Sequence, residues 1–181
     1  MFRVKLVVAG FAILCLAYCC GLLFLFPHTG SSVEELTPAY AEKIAVSYKR
    51  LHAPPDAREL HYYYIKGDMS LGATTIGMHR NTCFTEGVFK ERNDVFDFIY
   101  AHELAHFSRY MNHIPDPAQD HWKVDRDAAY MTSKNAALLS LRDSKRYYGC
   151  GEEGIKQILY WWMYDSVCGG LDSRIQKIVA M

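Results

Sequence analysis

Two histidines and a glutamate sit at a spacing that could do chemistry: His102-Glu103-Leu104-Ala105-His106. On an α-helix, residues four apart share a face, so His102 and His106 offer two imidazole nitrogens to one ion while Glu103 stands beside them. Zinc suits such a pair. It accepts imidazole nitrogen readily, and its catalytic sites use three protein ligands with the fourth position open to water. The ion makes water acidic near neutral pH and polarises a carbonyl, so Glu103 has the role of general base, returning a proton to the departing amine.

A third ligand must come from elsewhere in the chain. Asp125 and Asp127 are the candidates, both within a helical stretch that follows Asp116. Asp125 shares its side of that helix with His121, Ala128, Ala129 and Thr132, whose mostly small side chains allow close helix approach. Asp127 shares its side with Val124, Tyr130, Met131 and Lys134, an ordinary packing surface. Facing therefore favours Asp125 as the third ligand, while either aspartate also suits a carboxylate that holds an imidazole from behind. Tyr130, His121, His113 and Arg174 are candidate donors to a tetrahedral oxyanion, with packing, capping and surface charge as their ordinary roles.

These residues require a scaffold. Thr37 before Pro38 starts a helix in which Ala41, Ile44, Tyr48 and Leu51 repeat until Pro54-Pro55. The segments 59–65, 73–78 and 82–89 are rich in β-branched and aromatic residues, and they predict a small antiparallel sheet. Asn93-Asp94 caps a helix that is apolar on two sides, with Asp97, Ser108 and Arg109 read as solvated. The order Asp116-Pro117-Ala118-Gln119 announces another helix, running to about Leu141. Two more follow, over 152–166 and 171–180, separated by Gly169-Gly170.

The N-terminus is of another kind. No Asp, Glu, Lys or Arg lies between Lys5 and Glu34, and residues 6–26 are almost wholly apolar. A helical span needs roughly 20 such residues, so residues 1–27 are expected to form an uncleaved membrane anchor, with a signal peptide as the alternative. Arg3 and Lys5 keep the N-terminus cytoplasmic and send the rest outward, or into secretion if the segment is cleaved. Residues 28–33 form a linker and residues 34–181 one catalytic domain. Lys plus Arg and Asp plus Glu number 20 each, without long runs of either sign, which argues against nucleic acid as a partner. Outside the cytoplasm Cys150 and Cys168 can pair, leaving Cys83 over, although three thiols do not fix the pairing.

The soluble part resembles the gluzincin metallopeptidases of the HtpX-like and CAAX-prenyl-protease group. Residues 73–78 and 82–89 resemble the strands before that family's active-site helix, and 95–111, with His102, Glu103 and His106, resembles the helix itself. Asp125-Arg126-Asp127-Ala128 resembles the Glu-x-x-Ala start of the helix bearing the third ligand, and Arg174-Ile175 its closing helix. The resemblance implies zinc held by His102, His106 and Asp125, with Asp replacing the family's Glu and Ala128 and Ala129 permitting the closer approach this demands. The expected fold is α+β: a zincin-like domain with a small antiparallel sheet and an active-site helix, behind one N-terminal transmembrane helix. The expected activity is hydrolysis of protein or peptide substrates at a membrane surface. The alternatives are hydrolysis of a non-peptide amide or cell-wall linkage, or an inactive, membrane-tethered interaction protein.

Overall fold

Thr37 caps the first helix by accepting a hydrogen bond from the Tyr40 amide at 3.3 Å, and Pro38 occupies the first turn, where no amide is needed. The computed structural model describes residues 31–114, 121–150 and 161–181. Residues 33–181 form one packed unit. The described elements are β1 (Ser32–Glu35), α1 (Pro38–Arg50), β2 (His61–Lys66), β3 (Ala73–Ile76), β4 (Asn81–Thr85), the short α2 (Glu86–Lys90), α3 (Asn93–Met111), α4 (His121–Met131), α5 (Lys134–Tyr147) and α6 (Trp161–Val179). Single 3-10 turns cover Pro55–Glu59 and Gly77–His79.

The four strands lie in the order β1-β2-β4-β3, and β4 runs parallel to β2 but antiparallel to β3. The sheet is therefore mixed, which corrects the expected antiparallel sheet. The reason is visible along the strands. Thr82, Phe84 and Thr85 of β4 are buried, so this strand takes a central place, while β3 exposes Thr74 and Ile76 and takes an edge. A left-handed Arg80, φ 53°, turns β3 back into β4.

A second correction concerns the membrane. No helix among the described residues is long and apolar enough to cross one. The two longest, α3 and α6, have 19 residues each but carry Asp97, Glu103 and Arg109 in one and Asp172, Arg174 and Lys177 in the other. The described fold is an α+β domain without the expected transmembrane helix; the segment 1–27 lies outside the described residues.

An aromatic cluster joins the sheet to α3. Phe84, Phe96 and Tyr100 are fully buried, Phe89 nearly so, and Tyr40 stacks on Phe89 with centroids 4.2 Å apart. Each such side chain removed from water contributes about 1.5–3 kcal/mol, which makes this cluster the main attachment of α3 to the strands. The other side of α3 packs on α4 and α5, and α6 closes over α4 and α5. The polar residues of α3 differ from expectation. Asp97 is buried, accepting a 2.5 Å hydrogen bond from Ser47 and pairing with Arg50, and Arg109 is buried against Asp127 at 2.7 Å.

Two element boundaries also move. The helix expected to continue to Leu141 is broken at Thr132-Ser133, where Ser133 caps α5 by accepting from the Ala136 amide. Gly169-Gly170 does not separate two helices but lies within α6, facing open space. The cap at 116–119 and the segment 152–160 lie outside the described residues.

Candidate metal centre

His102, Glu103 and His106 stand in the middle of α3, among neighbours that fix the helix on several sides. Leu104, Ala105 and Phe107 are each at most 4 % exposed, so α3 cannot rotate without exposing apolar surface. With that rotation fixed, His102 Nε2 and His106 Nε2 come 3.1 Å apart.

The first residue of α4 completes the cluster. His121 stacks on the His102 ring, centroids 5.5 Å apart and planes within 13°, and meets the His106 ring edge-on at 5.3 Å. One ring nitrogen from each of the three lies within 4.8 Å of the others. The close approach of α3 and α4 is permitted by Ala101 and Ala105 on one helix and Ala128 and Ala129 on the other, all buried.

Asp125, expected as the third ligand, lies outside this group of three. One turn after His121 and fully buried, it sets Oδ1 3.0 Å from His102 Nδ1, the ring nitrogen away from His106. That approach has ion-pair distance but not the alignment of a hydrogen bond. Both carboxylate oxygens also accept from Arg174 of α6, Nε to Oδ2 at 2.5 Å and Nη2 to Oδ1 at 2.6 Å. Asp125 thus faces α3, as the helical pattern indicates, but stands behind an imidazole. The third donor of the converging group is His121, which the sequence suggests only as an oxyanion donor. Its signal is the four-residue step to Asp125, which puts both on the inward face of α4.

The electrostatics accompany this division. Burial pushes the Asp125 carboxyl up, but the hydrogen bonds from Arg174 and the contact with His102 outweigh it and hold it below the usual range. His121 is held below the ordinary histidine value by burial first, then by His102, Arg174 and His106. A neutral imidazole is the form that ligates metal. Glu103 is 4 % exposed, and its Oε2 is buried without a hydrogen-bond partner, as is His121 Nδ1.

The three histidines form a group able to hold a metal ion. Two zinc–nitrogen bonds of about 2.0–2.1 Å in a tetrahedral site set their nitrogens roughly 3.3 Å apart, close to the separation of the paired Nε2 atoms. Three imidazoles with a buried carboxylate alongside make a donor set suited to zinc.

The remaining candidates fall outside the cluster. Asp127 is held by Arg109 and Arg126 on the neighbouring side of α4. Tyr130 is 75 % exposed, His113 follows the end of α3 with φ 53°, and Arg174 is engaged by Asp125. No known family matches the chain, and no curated protein or solved structure matches it either.

Proposed function

We propose that the protein is a zinc-dependent hydrolase acting on peptide bonds, with His102, His106 and His121 holding the ion and Glu103 as general base. The observation that carries this reading is the Glu103 carboxylate, buried with an unpartnered oxygen on the helix whose histidines turn their Nε2 atoms together. A zinc ion at such a centre supplies Lewis acidity, polarising the scissile carbonyl and making water acidic near neutral pH.

Glu103 accepts the proton from the attacking water and delivers one to the leaving amine, so no covalent bond to the chain is needed. Its buried position excludes bulk water from the reacting proton. The edge strand β3 packs against α3, which supports an extended substrate that adds itself as a further strand through main-chain hydrogen bonds. The Cys150–Cys168 disulfide supports a place outside the reducing cytosol.

The test is a peptide-library digestion with metal-loaded protein, Glu103→Gln serving as the inactive control. Cleavage by the parent and none by the variant supports the reading, and equal cleavage by both removes it. Peptides methylated at backbone amides test the strand-addition feature, because undiminished cleavage of them overturns it.

A further inference from the structure

We infer that Arg174 is a positioning residue of the metal centre, fixing the Asp125 carboxylate, which in turn orients the His102 ring so that Nε2 presents its lone pair to the ion. The inference rests on the metal reading above and extends it to the C-terminal helix.

Three side chains from three helices stand in sequence: Arg174 of α6, Asp125 of α4 and His102 of α3. The negative charge of a carboxylate 3.0 Å from Nδ1 favours, by attraction alone, the tautomer with the proton there and leaves the Nε2 lone pair to ligate. His102 Nε2 is the atom turned toward His106.

Asp125 alone does not secure this arrangement. Its carboxylate turns about two side-chain bonds, and no water reaches it to share the work, since it is fully buried. The Arg174 fork contacts both oxygens and thereby fixes the carboxylate plane, which a single contact with His102 does not.

Arg174 is itself held. Leu171 and Ile178 bury their side chains on either side of it along α6, and Lys145 of α5 bonds Asp172 at 2.5 Å. The Cys150–Cys168 disulfide ties α6 to the residues that follow α5. A plain structural ion pair would affect only stability, whereas a positioning role must also register in the ion.

The experiment measures zinc affinity by competition with a chromophoric chelator, and the visible absorption of the cobalt-substituted protein. The proteins compared are the parent, Arg174→Gln, Arg174→Lys, Asp125→Asn and the double variant Arg174→Gln/Asp125→Asn. Arg174→Gln is expected to bind zinc about 10–100-fold more weakly and to alter the cobalt spectrum. The double variant is expected to lose no more than Asp125→Asn alone, because Arg174 acts through Asp125.

Arg174→Lys, which keeps the charge but not the fork, carries the test if the Gln variant does not fold, and a smaller loss is expected of it. Zinc-binding parent with unchanged affinity and spectrum in the folded Arg174 variant overturns the positioning role and leaves the metal reading intact. Losses that add in the double variant also overturn it. A folded parent that binds no zinc removes the metal reading itself, and this inference with it.

Discussion

His102 and His106, one turn apart on α3, face each other through their Nε2 atoms at 3.1 Å. Two neutral imidazoles in that position satisfy one another only if one carries its proton on Nε2, whereas an ion uses both lone pairs. With His121 against both rings, the set predicts near-stoichiometric zinc. Elemental analysis of His106→Ala and His121→Ala is expected to find the metal lost. Asp125→Ala is expected to bind it about 10–100-fold more weakly, as for a residue behind a ligand. Zinc retained in His121→Ala and lost in Asp125→Ala would return Asp125 to the position of ligand.

Glu103 should separate binding from turnover. Glu103→Gln keeps the shape of the side chain and removes the base, so zinc content should match the parent while kcat falls about 10²–10⁴-fold. Loss of zinc in this variant would instead make Glu103 part of the metal shell.

The helical periodicity of 95–111 identified the faces of α3, and the position of Asp125 on the inward face of α4 followed from its neighbours Ala128 and Ala129. What did not follow was depth. One turn of helix separates His121 from Asp125, and helical spacing cannot say which of the two stands level with His102 and His106. The sheet was legible as strands but not in its order, because β3 lies outside β4 rather than between β2 and β4. That choice is made by burial of β4 on both faces, a property of the packed domain. Asp97 and Arg109 look solvated in the sequence because their partners, Ser47, Arg50 and Asp127, lie 18 or more positions away.

The disulfide predicts a measurable loss on removal. Cys150 and Cys168 are separated by 18 residues, and closing a loop of about that length stabilises by about 3 kcal/mol in the chain-entropy account. Cys150→Ser/Cys168→Ser should shift the urea midpoint downward by a corresponding amount. Alkylation of the unreduced, unfolded protein should label Cys83 and spare both bridged residues, and labelling of Cys150 and Cys168 would show the bridge absent.

Gly87 marks a close passage of the chain. A Cβ at this position in α2 would lie 2.3 Å from the Met69 carbonyl oxygen and 2.4 Å from that of Ser70. Backbone atoms cannot swing aside as a side-chain end can, so Gly87→Ala is expected to destabilise by about 1–3 kcal/mol. Thermal unfolding checks this. An unchanged midpoint would mean that the loop at 69–70 yields freely.

Alkaline pH should find a weak point between β2 and α3. Tyr62 and Tyr100 share a hydrogen bond of 3.0 Å, and burial pushes the Tyr62 hydroxyl up to about 12 and that of Tyr100 upward as well. In the unfolded chain both ionise near 10. Because the folded values are raised, their contribution is whole below about pH 10 and is lost as pH rises toward 12, the unfolded state releasing protons that the native state retains. Other groups also titrate there, so the measurement is the difference between the parent and Tyr62→Phe in urea unfolding from pH 8 to 12. The variant should be about 1–2 kcal/mol less stable at pH 8, having lost the hydroxyl's hydrogen bonds with Tyr100 and with the Ala57 carbonyl, and should decline less steeply above pH 10. Parallel curves across that range would show that Tyr62 ionises as freely in the folded protein as in the unfolded chain.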